Sequence, residues 1–168
     1  MYDVIVIGAG AAGMTSALYA LRNGKKVLVL ESESLGGQIA MSPRLENYPS
    51  IKEISGEQFA DNLFEQITFH GADLEIEKAV DIVKTEDKVF HIKTEFNEYE
   101  AKSVIIAAGS KHRMLGVEGE NELVGNGISF CAVCDGAFYK GKTVALVGGG
   151  NSALQEALLL SEVCRKVT

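Results

Sequence analysis

At 168 residues, with 46% hydrophobic side chains and a formal net charge of −7, the chain can form one ordinary domain or two small ones around a real core. That composition excludes a disordered chain, and the acidic balance excludes a general binder of phosphate backbones, so nucleic acid is not an expected partner. The opening MYDVIVIGAG has no basic leader, no run of about 18 apolar residues occurs, and three cysteines do not make a secreted disulfide framework, so a cytoplasmic protein without membrane contact is expected.

Residues 4–7 are apolar, β-branched and too few for a helix; they predict a buried strand closed by glycines. Residues 11–22 have the small and apolar residues of a helix, with Asn23-Gly24 as its stop, and residues 26–30 predict a second buried strand ending in Glu31. Together they form a βαβ unit. Residues 32–54 lack periodicity and predict a long functional loop, whereas Phe59, Leu63, Phe64 and Ile67 give residues 56–70 helical spacing. Beyond Gly71 the alternation around Val89, Phe90, His91 and Ile92 predicts an antiparallel meander or hairpin turning at residues 86–88. Residues 103–107 predict another buried strand, and residues 111–127 a polar, glycine-rich crossing. A second strand, glycine turn and helix follow at residues 143–147, 148–150 and 151–164, and the final Lys166-Val167-Thr168 reads as the opening of a further strand.

Gly8, Gly10 and Gly13 form G-x-G-x-x-G between a strand and a helix. The first glycine allows the tight turn, the second lets backbone approach a pyrophosphate, and the third lets helix and strand pack closely. Glu31, 18 residues after Gly13, stands about where an acid accepts ribose hydroxyls. The pattern predicts a dinucleotide without choosing FAD or NAD. Gly148, Gly150 and Ala153 repeat it as G-x-G-x-x-A, with Asn151 and Ser152 as short polar residues suited to capping or phosphate contact. The 23-residue offset from Gly8 to Glu31 would reach position 171 from Gly148, beyond Thr168, so the residue separating NAD from NADP is not in the chain.

Cys131 and Cys134 are spaced to close a small disulfide and to exchange electron pairs with another disulfide, with the adjacent Asp135 as proton carrier. Zinc is the first rival, but no second pair supplies the other two ligands, and no metal is expected. Two inert buried thiols are the other. Cys164, near the end of an apolar helix, reads as a small buried hydrophobe.

The blocks VIGAGAAG, GGQI, ENYP, IIAAGS, CAVCDGAFY and VALVGGGNSALQEALLL, in this order along nearly the whole chain, resemble the bacterial-type, low-molecular-weight thioredoxin reductases. The resemblance implies an α/β fold. A Rossmann-like FAD-binding unit, a parallel sheet with helices plus an antiparallel β meander, comes first; the start of a Rossmann-like NADPH-binding unit follows. Residues 1–112 would be the first part of the FAD-binding domain and 113–168 an incomplete NADPH-binding domain, with a hinge within residues 111–119. FAD would sit on Gly8, Gly10, Ala11 and Gly13, with Glu31 at its adenosine ribose, Gly36, Gly37, Gln38 and Asn47 on its flavin side, and Ala79 and Val80 near the adenine. Ala108 and Gly109 would belong to the same set, Ala108 standing where the family often has Thr or Ser. Gly148, Gly150, Asn151, Ser152 and Ala153 would receive NADPH, with NADH kept open as the alternative donor.

The resemblance further implies that Cys134 lies nearest the flavin, Cys131 attacks the acceptor and Asp135 is the acid/base. In that family, rotation of the nicotinamide domain brings NADPH or the disulfide to the flavin in turn. The implied activity is a flavoprotein disulfide oxidoreductase reducing thioredoxin or a thioredoxin-like protein, homodimeric at full length. Family members are about twice as long. The chain is therefore expected to be a fragment, inactive alone in NADPH-dependent turnover. Other acceptors, through an alkyl hydroperoxide reductase system or a dithiol oxidase, and a non-catalytic nucleotide-binding module are the competing readings.

Overall fold

The computed structural model describes all residues, Met1–Thr168. It divides into two compact units, Met1–Lys111 and His112–Thr168.

The first unit is built on a six-stranded sheet of order β3-β2-β1-β6-β5-β4. β1 (Tyr2–Ile7) occupies the interior, parallel to both β2 (Val27–Glu31) and β6 (Glu98–Ile106), and β3 (Asp73–Ile76) is parallel to β2. β4 (Ala79–Lys84) and β5 (Phe90–Thr94) join antiparallel to β6. Alternation in β1 and β2 sends Val6, Val27 and Val29 to one face, where Met14, Ala17 and Leu18 of α1 (Ala11–Arg22) and Ala60 and Ile67 of α2 (Gly56–Phe69) cover them. Ile5, Leu28 and Leu30 point to the other face and meet Ile92 and Ala101 of the antiparallel strands. Both faces of β1 and β2 are thus buried, as their unbroken apolar runs require.

The expected βαβ unit forms with α1 bounded as the stop signal predicts. Its carboxyl end is closed by Asn23, whose N–H reaches the carbonyls of Tyr19 and Ala20. α2 begins at the Ser55 cap, whose hydroxyl accepts from Gln58 N at 3.1 Å. Asp3 ties three strands: its carboxylate accepts from Lys102 Nζ of β6 at 2.6 Å and from Lys26 N, just before β2, at 2.9 Å. The Lys102 ammonium, then the Lys26 amide, hold the Asp3 carboxyl below the usual carboxylate range.

Three elements differ from the sequence expectation. Residues 73–76 lie inside the expected meander yet form β3, parallel to β2, because their partner is distant in sequence and local alternation does not report it. The strand expected at 103–107 is the tail of the nine-residue β6, whose first half alternates with solvent and pairs with β5. Within the expected loop 32–54, residues Gly37–Met41 make a 3₁₀ turn and Leu45 and Ile54 exchange backbone bonds of 2.7 and 3.1 Å.

The second unit carries two short helices, α3 (Glu120–Leu123) and α4 (Ala132–Asp135), a 3₁₀ turn over Gly136–Tyr139, β7 (Thr143–Val144), α5 (Asn151–Val163) and β8 (Lys166–Val167). β7 and β8 pair in parallel. The strand expected over 143–147 shortens to two residues, since β8 offers only two rungs and leaves Val147 largely exposed. In the crossing 111–127, Glu120 is buried, its carboxylate accepting from Leu115 N at 2.8 Å and Gly116 N at 2.7 Å.

Candidate dinucleotide crevice and redox turn

In the first unit the parallel strands β2, β1 and β6 end together, and the chain leaves β1 toward β2 on one side while β6 returns on the other. Ligands of open α/β sheets bind at such a switch point, outside the carboxyl ends of the strands. Gly8 follows β1 at φ +103°, donating its N–H to Leu30 O at 2.7 Å, and a Cβ on it would stand 2.3 Å from Ala107 O. A Cβ on Gly13 would stand 1.8 Å from Gly8 O, so the loop and α1 touch backbone to backbone. Gly10 differs: a Cβ there would meet nothing nearer than Gly36 O at 3.8 Å, leaving an open backbone surface. It is also the amino cap of α1, which has no side-chain cap and no acid in its first turn. Unpaired N–H groups and the positive end of the helix dipole therefore face that surface.

Glu31, at the end of β2, is buried and holds this loop in shape. Its Oε2 accepts from Ala9 N at 2.7 Å, and its Oε1 from Ser32 N at 2.8 Å and Glu33 N at 3.0 Å. Oε2 thus keeps a lone pair for one more donor, such as a sugar hydroxyl. Gly36, at φ +90°, donates to Ala9 O at 2.9 Å; a Cβ on it would collide with Ala60 Cβ at 2.5 Å. Gly37 lies against Gly10, and the Gln38 amide donates to Ser110 O. Ala108 and Gly109 follow β6 beside Gly8.

Of the residues singled out in the sequence for the first crevice, Gly8, Gly10, Ala11, Gly13, Glu31, Gly36, Gly37, Gln38, Ala108 and Gly109 converge. Asn47 lies in the exposed loop between Leu45 and Ile54. Ala79 packs against the cluster holding Leu30, and Val80 is half-exposed on the edge strand β4. The open surface at Gly10, the uncapped helix and the spare acceptor on Glu31 fit a dinucleotide.

In the second unit Cys131 and Cys134 form a disulfide, with Cα atoms 5.3 Å apart. Cys131 caps α4, and its Sγ accepts from Cys134 N at 3.1 Å. Asp135 N donates to Cys131 O at 3.0 Å, and Asp135 Oδ2 accepts from Ser129 Oγ at 2.6 Å. The Ser129 oxygen in turn accepts from Cys131 N at 3.1 Å. His112 stacks on Phe130 at 4.4 Å between centroids. Burial, then the negative charge of Asp135, push the Tyr139 hydroxyl up from its ordinary value.

The loop 148–150 opens onto α5. A Cβ on Gly148 would stand 2.9 Å from Ala153 Cβ, the counterpart of the Gly8–Gly13 contact, while Gly149 and Gly150 have nothing within 4 Å. The cap of α5 is Gly150, with no side-chain cap and no acid in the first turn. Asn151 and Ser152 are the first helical residues rather than caps, so both stay exposed. This amino end, too, fits an anionic ligand.

Sequence reading missed Ser129, Glu120 and Gly56. A serine two before Cys131 could have been read as a local hydroxyl turn. No group of three or more His, Cys, Asp or Glu is placed to hold a metal, and no helix is long and apolar enough to cross a membrane.

Residues 2–168 match the model of a family described as pyridine nucleotide-disulphide oxidoreductase. A thioredoxin reductase of Treponema pallidum is 46% identical over 168 residues, 99% of this chain and 54% of its own length. One of Bacillus subtilis is 45% identical, over 100% of this chain and 53% of its own. The crystal structure of thioredoxin reductase from Streptococcus pyogenes superposes with a TM-score of 0.96 at 41% identity, covering 99% of this chain and 54% of that one. The chain spans about half the length of the curated relatives it matches.

Proposed function

The chain belongs to the pyridine nucleotide-disulphide oxidoreductase family, and from that premise we propose that it carries the FAD site, the redox sulfur pair and the first part of the NADPH site of a thioredoxin-disulfide reductase. The observation that carries this reading is the Cys131–Cys134 disulfide, bonded through α4 to Asp135 and in the same unit as the open 148–150 loop. The first unit, Met1–Lys111, one residue short of the expected 1–112, serves as the first part of the FAD-binding domain, and the second, in place of 113–168, as an incomplete NADPH-binding domain. When bound, the flavin supplies two-electron chemistry between a reduced nicotinamide and a disulfide.

The chain's own residues do the rest. Gly8, Gly10, Ala11 and Gly13 present backbone to the pyrophosphate, Glu31 takes a ribose hydroxyl, and Gly36, Gly37, Gln38, Asn47, Ala108 and Gly109 border the flavin, with Ala79 and Val80 toward the adenine. Gly148, Gly150, Asn151, Ser152 and Ala153 receive NADPH. Once an electron pair has cleaved the Cys131–Cys134 bond, Asp135 protonates one sulfur and the other stays a thiolate. Cys131, whose Sγ accepts the Cys134 N–H, is the better placed to hold that negative charge. Its thiolate attacks a sulfur of the acceptor disulfide and forms a mixed disulfide. Cys134 then attacks Cys131 Sγ, releasing the acceptor as a dithiol and restoring the Cys131–Cys134 bond. Thioredoxin or a thioredoxin-like protein is the acceptor, and a homodimer is the assembly of the protein at its relatives' length.

The sulfur chemistry is tested with the chain itself. Reduced with dithiothreitol, desalted and mixed with oxidised thioredoxin, it should transfer one electron pair per chain, counted by alkylation and mass spectrometry. Cys131→Ser should abolish transfer, and Cys134→Ser should trap a mixed disulfide. Thioredoxin left oxidised by the fully reduced chain refutes the reading.

A further inference from the structure

Ser129 stands outside every motif of the chain yet bonds to two members of the redox turn. Its hydroxyl donates to Asp135 Oδ2 at 2.6 Å and accepts from Cys131 N at 3.1 Å. The ring is closed by Asp135 N, which donates to Cys131 O at 3.0 Å. None of these bonds involves sulfur, so opening the disulfide removes none of them directly. The disulfide itself ties Cys131 only to Cys134. We propose that Ser129 is a positioning residue that, through its bond to Oδ2, keeps the Asp135 carboxyl in register with the Cys131–Cys134 pair in both redox states.

This inference rests on the reading of Asp135 as acid/base and adds a residue to it. A hydroxyl has one proton and two lone pairs, so Ser129 can donate to a carboxylate and accept an amide together, which neither alanine nor glycine can. The other polar groups around the turn are the Tyr139 hydroxyl, the Lys142 ammonium 5.6 Å from the Tyr139 ring centre, and the His112 ring stacked on Phe130. From α5 the apolar Leu160 faces Gly136. None of these donates a hydrogen bond to Asp135 in place of Ser129.

The test follows the pH profile of iodoacetamide alkylation of Cys131 and Cys134 in the reduced 168-residue chain, resolved by peptide mass spectrometry with Cys164 as internal reference. Asp135→Asn should displace the profile of the pair and leave Cys164 unmoved. Ser129→Ala should displace the alkylation profile of the pair and change the Cys131 rate by about tenfold, the factor one hydrogen bond to a charged group commands. Ser129→Thr should restore the wild-type profile, and Ser129→Ala should add nothing to Asp135→Asn. If Asp135→Asn matches wild type, the acid/base reading fails and the inference falls with it. If Asp135→Asn moves the profile and Ser129→Ala does not, only the inference is overturned. Should Ser129→Ala fail to fold by circular dichroism, Ser129→Thr decides: a folded threonine variant with a displaced profile overturns the inference.

Discussion

Gly13 has no space for even a methyl group, because its missing Cβ is where the Gly8 carbonyl sits. Gly13→Ala should therefore lower stability by about 3 kcal/mol, the upper range for forcing an atom into a packed contact, as read from urea unfolding. Glu31 works differently: three backbone N–H groups share its two oxygens. Glu31→Gln puts an NH₂ where an acceptor stood and should cost about 1–3 kcal/mol of stability through the donor left facing it. On the proposed reading of the crevice it should also weaken FAD binding, followed by flavin fluorescence. Glu120 supplies the pH prediction. The Leu115 amide first, then those of Gly116 and Val117, outweigh burial and hold its carboxyl below the ordinary 4.5. A lowered folded value means that the stabilisation is complete above about pH 4.5 and fades as pH falls through the folded value. Protection against hydrogen exchange at Leu115 and Gly116, measured relative to the intrinsic rate at each pH, should fall on acidification below that point, and Glu120→Gln should show the same reduced protection already at neutral pH. The glycine loop was legible because its spacing is a backbone requirement written into residue type, whereas the three amides that Glu31 binds are defined only by the folded loop. Glu120 and Ser129 were not legible, because each acts through hydrogen bonds that only the folded loop defines. Gly56 was read only as a helix start; its role is to let Ile39 O approach to 1.7 Å of where a Cβ would be.

At the scale of elements, α1 was legible to its ends because Gly10 and Asn23 are both chemical boundaries, whereas β3 was not, since Asp73, Glu75 and Ile76 are exposed and only pairing with β2 makes them a strand. α2 separates packing from pattern. Ile67 is fully buried between this helix and the sheet, while Phe69, two residues on, is 86% exposed. Ile67→Ala should cost about 2–5 kcal/mol by removing buried methylenes and leaving a cavity, and Phe69→Ala should stay within about 0.5 kcal/mol. Equal losses from the two variants in urea unfolding would mean that α2 is not docked on β1 and β2 as described.

Across the whole molecule the buried apolar side chains are distributed unequally. Every one of the core residues, from Ile5 to Ala101, belongs to the first unit, whereas α5 of the second leaves Leu154 and Leu158 exposed. Hydrophobic burial dominates folding free energy, so the first unit sets the main unfolding transition and the second relies more on its turns, its two-rung β7–β8 ladder and the disulfide. Cys131 and Cys134 close a very short loop, for which chain entropy gives about 2 kcal/mol or less. Reduction with dithiothreitol should therefore shift only the unfolding of residues 112–168, followed by amide exchange along α5, and leave the transition of β1, β2 and β6 where it was. That separation fits the proposed redox turn: a disulfide opening and closing there would do so without disturbing the core beneath the glycine loop of the first unit. A main transition displaced by reduction would show that the sulfur pair helps to hold the first unit together, and the division of labour between the two units would have to be abandoned.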